Sequence, residues 1–250
     1  MQSISVGLPT EVWAADIAYM PLSSRNNRYL LMFMDYMTKW VVTTALPSCE
    51  TSAIANVMLY SKVLTFGAPK RFITDNGKNF ISEAMMVVCK RLGIKKVNTS
   101  VEHPQSDGMV ERMNRTIKAA LSIYCEKKPE QWDAYLPFVT FGIHTTKLAT
   151  TGKTPYEVMF GRKSTLPSVH ELSDWNPTNH TTKQWIQYLN HYIPILYMDV
   201  KANIQKSLDR QQRYFNKNRK QKEEIKIGDK VLEIKMKEQW KFAEPKFTGP

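Results

Sequence analysis

Three acidic side chains stand where chemistry could be done. Asp16 lies inside Val12–Ala18, a run that reads as a strand. Asp75 follows a short β-prone run, in the stretch Phe-Ile-Thr-Asp-Asn-Gly. Glu111 sits one turn inside a helix that follows the polar loop His103-Pro104-Gln105-Ser106-Asp107-Gly108. Thirty-five residues separate Asp75 from Glu111. Cleaving a phosphodiester requires an in-line nucleophile and a stabilised leaving oxygen. Two divalent ions ~3.5–4 Å apart, held by shared carboxylates, supply both. Mg²⁺ takes oxygen ligands and keeps several waters, so two Asp and one Glu from separate elements suit it. Each acid also has a plainer reading. Most of the 23 acidic residues must be solvated, and Asp-Asn-Gly is good turn chemistry. Arg115 and Lys118 follow Glu111 at i+4 and i+7 on one helix face. They either place phosphates beside the acid or form an ordinary surface pair.

The elements that must position these groups follow from pattern. Val12–Ala18, Tyr29–Asp35 and Trp40–Leu46 read as strands, the last two as a hairpin pair. Asp35, before Tyr36-Met37-Thr38, reads as a turn or capping residue. Ser52–Phe66 is helical and stops at Gly67 and Pro69. A strand at Arg71–Thr74, a helix at Ile81–Leu92 closed by Gly93, a strand at Ile94–Thr99 and a long helix from Met109 to about Lys127 complete an α/β pattern with a mixed sheet. Leu166-Pro167 and Asn176-Pro177 break regular structure. Thr181–Arg219 is helical and increasingly polar, and Ile225–Ile234 alternates as a strand–turn–strand.

Charge narrows the partners. Lys and Arg number 35 against 23 acidic residues, a net charge of +12, with pI ≈ 9.5. Such a surplus favours polyanions, because each cation that meets a phosphate releases condensed counterions. Over residues 201–250, fourteen Lys or Arg face seven Asp or Glu, so more than half of the surplus lies in that fifth of the chain. Cys49, Cys89 and Cys125 are isolated, and no thiolate zinc site is expected. The scattered set reads as reduced thiols inside a cell. The longest apolar stretch, Tyr29–Met34, is far too short to span a bilayer. The first residues carry no signal-peptide pattern.

The order Asp16 … Asp75-Asn76-Gly77 … Pro104-Gln105-Ser106-x-Gly108-x-Val110-Glu111-x-x-Asn114-Arg115-x-x-Lys118 resembles the integrase core of retroviruses and gypsy-type retrotransposons. The segments TEVWAADIAYMP, MDYMTKW, FGAPKRFITDNGKNFIS and TTGKTPYEVMFGR agree with it. The resemblance covers about residues 8–165. It extends more weakly to IKIGDKVLEIK … PKFTGP, which resembles the start of an SH3-like C-terminal barrel. It implies an RNase H-like core (8–165) with a five-stranded mixed sheet flanked by helices. A helical linker or basic arm (166–224) and a β segment ending inside the barrel (225–250) would follow.

The resemblance also implies an activity. A Mg²⁺- or Mn²⁺-dependent polynucleotidyl transferase would trim the 3′ end of an element's DNA and join it to target DNA, acting in the nucleus after a cytoplasmic phase. Asp16, Asp75 and Glu111 would be catalytic and hold two ions. Gln105, Asn114, Arg115 and Lys118 would face DNA. The partners would be element ends, target DNA and further copies of the chain, as a homodimer or higher multimer, with no membrane. Tyr156 and Phe160 read as packing residues. The His/His/Cys/Cys zinc module typical of such proteins has no counterpart in these residues. A second reading is therefore a domesticated or decayed integrase that binds DNA without catalysis.

Overall fold

The computed structural model describes residues 7–98, 108–165 and 181–217, together with 233–234 and 247–248. Five strands form one sheet: β1 (Val12–Tyr19), β2 (Tyr29–Asp35), β3 (Val41–Leu46), β4 (Arg71–Thr74) and β5 (Lys95–Asn98). Their order is β3-β2-β1-β4-β5. β1 pairs antiparallel with β2, and β2 with β3, while β1–β4 and β4–β5 are parallel. The sheet is therefore mixed. The antiparallel half is a meander of short turns, whereas the parallel half needs helical crossovers.

Alternation along the strands feeds two cores. Val12, Ala14 and Ala18 of β1, with Leu30, Met32 and Met34 of β2, face one side. That side is covered by α5 (Gly108–Tyr124) and α6 (Trp132–Thr145). Trp13 and Ala15, with Leu31 and Phe33, face the other. Helices α1 (Thr51–Val57), α2 (Leu64–Phe66), α3 (Lys78–Ile81) and α4 (Glu83–Arg91) lie on that second side. The helix expected over Ser52–Phe66 exists but is not uniform: a π-helical segment, Met58–Val63, joins α1 to α2. The helix expected over Ile81–Leu92 is α4, which starts at Glu83: Ile81 closes α3, and Ser82, with an extended backbone, accepts at its hydroxyl from the Met85 amide at 3.3 Å to cap α4.

α6 carries Pro137 in its interior and buries Trp132, Asp133, Leu136, Val139, Thr140 and Ile143. Its first turn is tied to the β1–β2 loop. The Trp132 indole donates to the Pro21 carbonyl at 2.8 Å, and Asp133 accepts from Ser23 Oγ and Asn27 Nδ2, each at 2.7 Å. Asp133→Ala would leave two donors without their acceptor in a part-buried site. A loss of about 2–3 kcal/mol in a urea melt is expected; a change under about 0.5 kcal/mol would mean that water replaces the carboxylate.

α7 (Pro155–Phe160) ends at Gly161, whose φ of 68 is left-handed. A Cβ there would stand 3.2 Å from side-chain carbons of Leu189 and Ile193, so glycine serves both the cap and the close approach of α8 (Thr182–Lys217). Leu196, Val200 and Ile204 of α8 bury with Met37 and Val158. A polar clasp accompanies them: the Tyr192 hydroxyl donates to Glu157 at 2.6 Å, and Lys153 lies 3.6 Å from Glu157. Tyr156 and Phe160 pack about Trp40, with ring centroids 6.2 and 5.1 Å away. The chain divides into two compact units, the first running through Leu208 and the second from Asp209. In the second, β6 (Glu233–Ile234) and β7 (Phe247–Thr248) pair antiparallel. The rest of the expected strand–turn–strand over 225–234 lies outside the described residues.

Candidate functional site

The strand register brings two of the three acids together. Ala14 pairs with Ile73 and Ala15 with Thr74 across the parallel β1–β4 ladder. One step further along both chains stand Asp16 and Asp75. Neighbouring strands lie about 4.8 Å apart, and alternation puts both residues on the face of Ala14 and Ile73. That is the face covered by α5.

Each aspartate is held by its surroundings. Asp16 is half-buried. One of its oxygens accepts from the Ile17 amide at 2.8 Å, and the other from Asn114 Nδ2 at 2.6 Å. Asp75 is exposed and accepts from the Gly77 amide at 3.0 Å, an Asx-type turn. A Cβ at Gly77 would stand 2.9 Å from the Asp75 carboxylate, so a larger third residue in Asp-Asn-Gly would push that carboxylate aside. Beside Asp75, Lys96 donates to Thr74 Oγ1 at 3.2 Å and to Asn98 Oδ1. Burial lowers the pKa of Lys96, while the Cys89 and Asp75 charges oppose that shift.

The third acid comes from α5. Val110, Asn114, Ile117 and Leu121 form its buried stripe, spaced i, i+4, i+7, i+11 as a helix packed on a sheet requires. Glu111 stands one position off that stripe and one turn before Asn114. Its side chain is 63% exposed, with Arg115 Nε 4.0 Å away. No group of three His, Cys, Asp or Glu side chains among the described residues is close enough to hold a metal ion. The two aspartates thus follow the last paired residues of neighbouring strands, and Glu111 stands one turn before Asn114 with its carboxylate turned toward Arg115 and solvent.

The four residues expected to face DNA separate. Arg115 and Lys118 are exposed. Asn114 is 5% exposed, and its amide nitrogen is engaged by Asp16. Its position on the buried stripe could have been read from the spacing. Gln105 lies outside the described residues. Asp35, expected in a turn, is fully buried there and accepts from Thr10 N, Thr38 N and Thr38 Oγ1. Burial raises its pKa against the pull of those bonds.

The donor set is one a hard cation would choose. Two carboxylates follow the last paired residues of the β1–β4 ladder, α5 carries a third that does not group with them, and the buried Asn114 Oδ1 has no hydrogen-bond partner among the described atoms. All are oxygens, as Mg²⁺ and Mn²⁺ prefer.

Residues 8–104 match the family described as integrase core domain. The chain is 26% identical over 233 residues to the retrovirus-related Pol polyprotein from transposon 412 of Drosophila melanogaster, covering 92% of this chain and 19% of that protein. It is 33% identical over 162 residues to the human gypsy retrotransposon integrase-like protein 1, covering 62% and 30%. It therefore spans no more than about a third of the length of these relatives. Among solved structures it resembles the simian T-cell lymphotropic virus intasome in complex with the PP2A regulatory subunit B56 gamma (TM-score 0.57, 23% identity, 72% of this chain and 63% of that one). It also resembles the HTLV-2 integrase catalytic core domain in complex with magnesium (TM-score 0.50, 22% identity, 60% and 96%). At these identities the likeness establishes the fold, the RNase H-like α/β core with its five-stranded mixed sheet.

Proposed function

Residues 8–104 match the family described as integrase core domain, and from that match we propose that the chain is a polynucleotidyl transferase that processes the 3′ ends of an element's DNA and joins them to target DNA. The observation that carries the reading is the parallel β1–β4 register, which pairs Ala15 with Thr74 and so leads both chains into Asp16 and Asp75, with Asn114 bridging Asp16 to the helix that bears Glu111. Asp16 and Asp75 would hold Mg²⁺ or Mn²⁺ between them, with Glu111 closing the site on two ions. A bound divalent ion neutralises charge at the reacting phosphate and lowers the pKa of its water. The chain's own part is positioning. The Asn114 amide keeps one Asp16 oxygen turned toward α5, and the Gly77 amide fixes the Asp75 carboxylate. Arg115 and Lys118, exposed on α5, would place backbone phosphates, with Gln105 as a further contact.

The net charge of +12 suits long runs of phosphate. The same reading assigns 8–165 to the catalytic core, 166–224 to a helical arm and 225–250 to the start of an SH3-like barrel. It places the protein in the nucleus, as a homodimer or higher multimer on DNA, with a cytoplasmic phase before import. No helix among the described residues is long and apolar enough to cross a membrane.

A second reading, DNA binding without catalysis by a domesticated or decayed integrase, is favoured by one feature, the exposed and ungrouped Glu111 carboxylate. Labelled duplex ends incubated with the protein separate the two. Nicking or strand transfer that requires Mg²⁺ or Mn²⁺, and that is lost in Glu111→Gln with DNA affinity intact, is the expected result. DNA binding with no metal-dependent product, in the chain and in a version extended with complete flanking modules, would leave only the second reading.

A further inference from the structure

The turn joining β2 to β3 is built more elaborately than a hairpin needs. The three bonds that Asp35 accepts lock it. Inside it, Lys39 has φ 62, the left-handed region that a lysine rarely adopts. Its side chain is turned inward and is 3% exposed. The ammonium donates to the Tyr36 carbonyl and, at 2.8 Å, to Met109 Sδ. Burial pushes its pKa down to about 8, the Asp35 carboxylate opposing that shift and Arg112 adding to it. A left-handed backbone and a desolvated cation are both unfavourable, and an apolar side chain would fill the space without the second cost.

Position gives these costs a reason. Met109 is the second residue of α5 and lies two residues before Glu111. The first turn of a helix lacks intrahelical partners for its amides and frays readily. On the far side of Glu111, Asn114 is tied to β1 through Asp16. Glu111 therefore stands between two anchors, one on β1 and one on the β2–β3 turn.

We propose that Lys39 is a positioning residue for Glu111: its ammonium ties the β2–β3 turn to the first turn of α5 and so sets where that carboxylate stands relative to Asp16 and Asp75. The inference rests on the metal-dependent reading above.

Lys39→Gly suits the test, because glycine tolerates the left-handed backbone while the ammonium is removed. Met109→Leu keeps the volume and removes the sulfur. Mn²⁺ binding to the whole chain, free of DNA, is measured by electron paramagnetic resonance or calorimetry. Melting temperature and DNA affinity are followed alongside. Lys39→Gly, which acts on Glu111 through Met109, is expected to weaken Mn²⁺ binding about threefold or more, approaching the roughly tenfold lost with a group bonded directly to a ligand, with melting temperature and DNA affinity held. Met109→Leu should weaken it in the same direction. The double variant should be no worse than Lys39→Gly, because both remove one interaction. Unchanged Mn²⁺ binding in a folded Lys39→Gly, or effects that simply add, overturns the proposal. Should Lys39→Gly not fold, Met109→Leu decides alone, and unchanged binding there overturns it equally. Glu111→Gln separates the two levels. If it weakens Mn²⁺ binding and Lys39→Gly does not, only the positioning role falls; if Glu111→Gln binds Mn²⁺ as the parent does, the metal reading falls and the positioning role with it.

Discussion

Asp16→Asn is expected to reduce metal-dependent DNA cleavage at least about a thousandfold while leaving the melting temperature unchanged or slightly raised. A neutral amide is a far poorer ligand than a carboxylate for a hard divalent ion, and that ion's charge stabilisation is worth several kcal/mol. The fold should tolerate the change. The amide oxygen of Asn can still accept from Asn114, as Asp16 does at 2.6 Å, while the bond from the Ile17 amide is lost at about 1 kcal/mol. Against this, Asp16 and Asp75 follow the paired residues Ala15 and Thr74, and removing one of two like charges on neighbouring chains relieves repulsion. The two effects are of similar size and opposite sign. Cleavage rates on labelled duplex ends in Mg²⁺ and in Mn²⁺, together with a calorimetric melt, read both quantities. A residual rate within about tenfold of the parent would remove Asp16 from the proposed ligands. A melting temperature lower by more than about 10 °C would instead make it a structural residue.

The sheet was legible in the sequence because its strands obey simple patterns. β1–β3 carry β-prone apolar runs, and β1 and β2 among them bury both faces. Helix α5 was legible from its polar start and long period. What was not legible came from non-local or locally costly features. The approach of Asp16 to Asp75 depends on β1 pairing with β4 across the intervening β2, β3, α1, π-helical segment and α2, a choice no local pattern records. Pro137 argues against a helix, since its ring crowds the carbonyl four residues back, yet α6 runs through it, with Trp132, Leu136, Val139 and Ile143 buried against the sheet on one face. Lys39 in a left-handed conformation is a tertiary arrangement, and no propensity points to it. Asn114 is the intermediate case. Its spacing from Val110, Ile117 and Leu121 reports burial, and its bond to Asp16 follows once the helix lies on the sheet.

Lys62→Met is expected to stabilise the protein at pH 7 by about 1–3 kcal/mol and to lose that advantage by pH 10. The π-helical segment turns Lys62 inward in line with Ile54 and Met58, where it is 1% exposed. Its amine donates to the Gly67 carbonyl at 2.7 Å and stands 4.8 Å from the centroid of the Trp13 ring. Burial pushes its pKa down to about 7, against about 10.4 in an unfolded chain. Between those values the unfolded chain holds a proton that the native state gives up. Native stability therefore falls as the pH drops from about 10 toward 7 and recovers as it rises. Three pKa units at 1.36 kcal/mol each set an upper scale of about 4 kcal/mol for that swing. Met keeps the stem's bulk and carries no charge to desolvate. It forfeits the cation–π contact and the bond to Gly67, whose residue is exposed and whose carbonyl can turn to water, so these losses take back only part of the gain. Lys39 is unchanged in the variant and titrates in the same direction near pH 8, so some slope should persist. Urea melts at pH 7, 8.5 and 10 would resolve the difference. Stability curves for parent and variant that run parallel across this range would show that Lys62 does not titrate there, and a variant less stable at pH 7 would make the cation–π contact worth more than the desolvation it requires.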